Sequence, residues 1–118
     1  MSKRILLVDN DAESRSRVSK LLQTEGYEIR SADDAETGLA LVSSWQPHAI
    51  IFEVELPGMS GTIMYSQLRR NRETRDLPAM VLSAVGPRPV DFGTGIPVLP
   101  KGCDDVTLLN TVRHLLET

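Results

Sequence analysis

Apolar residues gather in five short runs: Ile5 to Val8, Tyr27 to Ser31, Ala49 to Val54, Ala79 to Ser83 and Ile96 to Leu99. Their length predicts five strands. Ile5-Leu6-Leu7-Val8 and Ala49-Ile50-Ile51-Phe52 carry no polar alternation, which is the pattern of strands covered on both faces, so both are expected at the centre of a parallel sheet. Between the runs the period becomes that of a helix. Val18, Leu21 and Leu22 mark the inner face of a first helix, and Ala35, Leu39 and Val42 that of a second. Ile63, Met64 and Leu68 mark a third after Gly61, and Val106, Leu109, Val112 and Leu116 a last one from about Asp104. Asp33 followed by Glu36 has the spacing of a capping box for the second helix. Ser14, Ser16 and Ser19, interleaved with Arg15, Arg17 and Lys20, describe the solvent face of the first.

The order strand, helix, strand, repeated with right-handed crossovers, predicts an α/β doubly wound sheet with helices on both faces. One segment breaks the rhythm. Ala84 to Gly95 contains Gly86, Pro87, Pro89, Gly93 and Gly95, so an irregular loop or a single helical turn is expected where a full fourth helix would otherwise lie.

Composition narrows the class. A chain of 118 residues, 41% hydrophobic and 25% charged, is expected to form one folded domain over residues 1–118. No apolar run approaches the roughly 20 residues that cross a bilayer, so membrane spanning and secretion are not expected. Thirteen Lys and Arg against sixteen Asp and Glu give a net charge of −3, which offers no general attraction for a nucleic-acid backbone. Cys103 is the single cysteine; with no internal disulfide to form, a reducing cytoplasm is the expected compartment.

In an open parallel sheet, chemistry gathers beyond the carboxyl ends of the strands. The first strand ends in Asp9-Asn10-Asp11, the third in Glu53-Val54-Glu55, the fourth in Ser83 and the fifth in Pro100-Lys101. Clustered carboxylates repel one another, so this set needs a cation, either Mg²⁺ or the Lys101 ammonium.

These residues resemble the receiver domain of bacterial two-component response regulators. Ile5 to Asp11 is similar to that family's opening strand and acidic pair, and Gln46-Pro47-His48 through Glu53 to Leu56-Pro57-Gly58-Met59-Ser60-Gly61 to its phosphoacceptor strand and loop. Ser83-Ala84 resembles the switch hydroxyl pair, and Lys101 the lysine that closes strand five. The resemblance implies a flavodoxin-like strand order 2-1-3-4-5. It also implies an aspartate that accepts a phosphoryl group as an acyl phosphate, beside Mg²⁺ held by the acidic pair.

The departures fall at that chemistry. Glu53 stands at the phosphoacceptor position, and its carboxylate reaches about 1.5 Å further than an aspartate's. A displacement near 1 Å can cost about a hundredfold in rate, so ordinary phosphorylation is not expected. Asn10 stands at the second acidic position and weakens the metal site, leaving Asp9 and Glu53 as ligands for weak or absent Mg²⁺. Val98 replaces the strand-five aromatic, and Gly102 replaces the proline after the lysine. The resulting expectation is a pseudo-receiver, not an enzyme, that recognises protein partners of a bacterial signalling pathway. Its acidic pocket is formed by Asp9, Asn10, Asp11 and Glu55 around Glu53, Ser83 and Lys101. Glu53 either imitates a phosphorylated aspartate or forms an inert ion pair with Lys101, and the inert pair is the simpler.

Two other classes compete. One is a functional phosphoryl acceptor that uses Mg²⁺. The other is a small flavodoxin-like enzyme or flavin carrier, which the acidic Asp9 to Glu13 loop disfavours because it repels phosphate. His48 and His114 are read as surface histidines, and Arg69, Arg70, Arg72 and Arg75 as a solvated helix end. Trp45 is read as covering the core edge, and Cys103 as a structural thiol.

Overall fold

The computed structural model describes residues 2–84 and 96–117. Among these, β1 (Arg4–Val8), α1 (Ala12–Gln23), β2 (Glu28–Ala32), α2 (Ala35–Trp45) and β3 (Ala49–Phe52) follow one another. The chain continues with α3 (Gly61–Arg70), β4 (Ala79–Ser83), β5 (Val98–Pro100) and α4 (Asp105–Leu116). The strands form one sheet in the order β2-β1-β3-β4-β5, and every adjacent pair is parallel. This is the doubly wound order that the family resemblance implies.

The uninterrupted apolar runs account for the central position of β1 and β3. Successive side chains of a strand point to opposite faces, so Leu6, Val8, Ile50 and Phe52 enter one core layer and Ile5, Leu7 and Ile51 the other. The first layer packs against α2 and α3 through Ala35, Val42, Met64 and Leu68. The second packs against α1 and α4 through Val18, Leu22, Leu108 and Val112.

The structure corrects several local expectations. The cap of α2 is Asp34, whose carboxylate accepts the Thr37 N–H at 2.7 Å, and not Asp33. Ile63 is 50% exposed and Val106 64% exposed, because Met64 with Leu68 and Leu108 with Val112 take the buried stripes of α3 and α4. Ser14 belongs to the buried face of α1, in line with Val18 and Leu22, and not to its solvent face. Strand β2 begins at Glu28, β3 ends at Phe52, and β5 begins at Val98. The segment expected as an irregular loop falls mainly on residues 85–95, outside the described residues.

The register positions the rim. Val8 of β1 pairs with Phe52 of β3, and Phe52 with Val81 of β4. Asp9 and Glu53 therefore emerge together, one residue beyond the last pairs. Backbone bonds hold them level: Asp9 N–H donates to Ala32 O at 3.0 Å, Glu53 N–H to Val8 O at 2.9 Å and Lys101 N–H to Ser83 O at 3.0 Å.

Candidate functional site at the carboxyl rim of the sheet

Asp9, Glu53 and Ser83 are polar residues left 1%, 3% and 2% exposed. Burying such groups is costly unless their hydrogen bonds are made. They are made, and chiefly to Glu53. Its Oε2 accepts the Ser83 hydroxyl at 2.7 Å, the Val54 N–H at 2.6 Å and the Glu55 N–H at 3.4 Å. Its Oε1 accepts the Ala84 N–H at 3.0 Å and lies 3.2 Å from Lys101 Nζ. Five donors from three strand ends thus converge on one carboxylate. The length of the side chain explains the pattern, since the glutamate carboxylate can fold back over the amides that follow it and still span to β4 and β5.

Lys101 closes the arrangement. Its ammonium lies 2.9 Å from Asp9 Oδ1, 2.9 Å from Asp9 Oδ2 and 3.2 Å from Glu53 Oε1. Asp9 Oδ1 also accepts the Asp11 N–H at 3.0 Å. Two carboxylates against one ammonium leave the cluster with one net negative charge. Burial pushes the Glu53 carboxyl upward, but the donors from Ala84, Ser83, Lys101 and Val54 outweigh it and hold the group below the ordinary glutamate range. Burial likewise works against the Lys101 ammonium, and Asp9 and Glu53 overcome it, so its pKa is raised. Both groups are held charged at neutral pH.

The structure brings together Asp9, Glu53, Ser83 and Lys101 and leaves the other expected pocket members outside. Asn10 is exposed. Asp11 is the N-cap of α1, accepting from the Glu13 and Ser14 N–H groups. Glu55 contributes its amide, while the residue itself is exposed. The amides of Val54, Glu55 and Ala84 carry no sequence signal, because every residue but proline offers one. Their only clue is position, immediately beyond a strand end.

The resemblance implies Mg²⁺, an ion that demands near-octahedral oxygen coordination. The residues present do not fit it. Both Glu53 oxygens are taken by donors, and both Asp9 oxygens face Lys101 Nζ.

Residues away from the rim have structural partners. His48 Nδ1 accepts the Arg4 N–H at 2.9 Å and so joins the start of β3 to β1. Burial and then Arg4 and Lys3 lower its pKa. Trp45 packs against the core edge with the Arg30 guanidinium 5.1 Å above its ring. Burial pushes the Cys103 thiol up, away from reactivity.

The response regulator receiver domain model matches residues 5–91. The chain is 36% identical over 96% of its length to the DNA-binding dual master transcriptional regulator RpaA of Synechocystis sp., covering 48% of that protein. It is 36% identical over 98% of its length to the response regulator PleD of Caulobacter vibrioides, covering 26% of it. It thus spans half or less of these curated relatives. Among solved structures, a response regulator from Chloroflexus aurantiacus superposes with a TM-score of 0.89 at 26% identity, with both chains covered in full. Chemotaxis response regulator CheY4 of Vibrio cholerae superposes at 0.85 with 25% identity over 98% of this chain and 100% of that one. Sequence, strand order and rim geometry agree, and the chain belongs to the response regulator receiver family.

Proposed function

We propose that this receiver domain works in a fixed state, as a protein-recognition module of a signalling pathway, without being phosphorylated at residue 53 and without enzymatic activity of its own. The observation that carries the reading is the convergence of five donors on the Glu53 carboxylate. A phosphoryl group joined to a side chain at this position would need those same donors. Here an anion that cannot be removed already holds them. A nucleophile must also offer a free oxygen lone pair in line with the donor phosphorus. Each Glu53 oxygen is instead committed to the amides, the Ser83 hydroxyl or the Lys101 ammonium.

Of the two roles open to Glu53, the geometry favours the one that sets a conformation. An inert pair needs only Lys101, whereas the carboxylate also draws in the Ser83 hydroxyl and the Ala84 amide and so pins the end of β4. It does this with a single charge, where a phosphoryl group carries nearly two. The partner is a protein of a bacterial signalling pathway, and the compartment is the reducing cytoplasm; the curated relatives carry further sequence that this chain does not match.

The test is incubation of the purified chain with acetyl phosphate and excess Mg²⁺, followed by intact-mass spectrometry. The expected spectrum holds only the unmodified mass. Stoichiometric addition of one phosphoryl group, mapped to Glu53, would overturn the reading.

A further inference from the structure

We infer that the Lys101 ammonium is the resident cation of this site, occupying the Asp9 and Glu53 carboxylates that would otherwise be available to a divalent metal, and that the chain binds no Mg²⁺ there. The inference deepens the fixed-state reading and rests on it.

Geometry carries the argument. Lys101 Nζ has three N–H donors and three carboxylate oxygens within 3.2 Å, two from Asp9 and one from Glu53. The ammonium is therefore fully satisfied, and it lies between the Asp9 and Glu53 carboxylates. Its backbone is fixed as well. Lys101 N–H donates to Ser83 O at 3.0 Å, and its carbonyl accepts from Arg17 Nη2 at 3.2 Å. Lys101 is only 16% exposed, so a metal could enter only by driving a desolvated ammonium out of its carboxylate cage.

The coordination count points the same way. Mg²⁺ keeps several waters but still needs carboxylate oxygens free to bind it. Asn10 is exposed, and Asp11 is spent on the first turn of α1. The remaining two carboxylates already share one positive charge that the chain carries itself, and only one net negative charge is left for a dication. Adding a dication while Lys101 stays would place like charges side by side in a buried site.

Removing the ammonium should reverse this preference. In Lys101→Met the stem length is kept and the charge is lost, so Asp9 and Glu53 face each other with no counter-charge. The measurement is a titration of the ¹⁵N-labelled chain with MgCl₂, without any phosphoryl donor, followed through the amide signals of Asp9, Glu53 and Ala84. The wild type is expected to show no saturable shift. Lys101→Met is expected to bind Mg²⁺ at least about tenfold more tightly, which brings it to the weak millimolar range of open carboxylate sites. If the variant is unfolded without metal, recovery of its circular dichroism on adding Mg²⁺ is the expected result.

Saturable wild-type binding centred on Asp9 and Glu53 would overturn the inference. A variant that gains no affinity, or that fails to refold with Mg²⁺, would overturn it equally. Because no phosphoryl donor is present, a chain that binds Mg²⁺ yet stays unlabelled by acetyl phosphate removes this inference alone and leaves the fixed-state reading in place.

Discussion

In the proposed fixed state, residue 53 concentrates the difference between this chain and a chemically switched receiver. One extra methylene lets the carboxylate curl over the Val54 and Glu55 amides while still reaching Ser83, Ala84 and Lys101. Because these donors hold the carboxyl below its ordinary pKa, the charged form is preferred in the folded state. A depressed carboxyl pKa stabilises the fold above its unfolded value, about 4.3, and that contribution is lost as pH falls through the lower folded value. Lys101 acts with the opposite sign at the other end of the scale, since its raised pKa stabilises the fold below about 10.4 and the contribution fades as pH rises through the folded value. Glu53→Gln keeps the size but loses the charge, leaving donors poorly matched, and is expected to cost about 2–3 kcal/mol in urea melts at pH 7. The gap to wild type should narrow as pH falls from about 4.3 through the lower folded value, where the wild-type carboxyl itself becomes protonated. A gap that stays constant down to pH 2 would show that the carboxylate is not held by these bonds.

At the scale of elements, the site depends on α3 meeting the end of β3 at very short range. Gly61 N–H donates to Val54 O at 2.8 Å, and a Cβ built on Gly61 would lie 2.1 Å from Glu53 O and 2.9 Å from a Phe52 ring carbon. The obstacle is backbone, which cannot swing aside as a flexible side chain can. Gly61→Ala is therefore expected to destabilise the fold by about 1–3 kcal/mol or more and to shift the amide signals of Glu53, Val54 and Ala84, whereas Gly102→Ala, whose added Cβ meets nothing within 4 Å, should do neither. Equal behaviour of the two variants in melts and in NMR spectra would contradict the packing account. The strands were legible in the sequence because apolar runs fix burial directly, and β1 and β3 needed no partner to be recognised as central. Helix phase was less legible. Ile63 lies one position from Met64, and Val106 two from Leu108, and only the sheet's position decides which of each pair turns inward. Asp33 and Asp34 offer the same capping chemistry one residue apart, and it is Asp34, with its backbone extended (φ −146°, ψ 167°), whose carboxylate meets the Thr37 N–H.

For the whole molecule, the parallel order explains both what the sequence revealed of the site and what it hid. Strand ends in such a sheet converge by topology, so the positions of Asp9, Glu53, Ser83 and Lys101 at or just beyond the ends of the strand runs are enough to group them. Asn10, Asp11 and Glu55 sit beside them in sequence yet turn outward, because the chain changes direction as soon as the pairing ends. The donors that complete the Glu53 environment are main-chain amides, whose aim is set only by the folded loops. The resulting cluster ties β1, β3, β4 and β5 together through Glu53 and Lys101. In the proposed fixed state, a protein partner would meet a surface whose conformation does not depend on a phosphoryl donor.

The most direct test is a crystal of the chain soaked with beryllium fluoride and magnesium. The fixed state predicts that residue 53 carries no adduct and keeps its contacts with Ser83, Ala84 and Lys101. A tetrahedral beryllium fluoride bonded to Glu53, with Lys101 and the end of β4 rearranged around it, would contradict it.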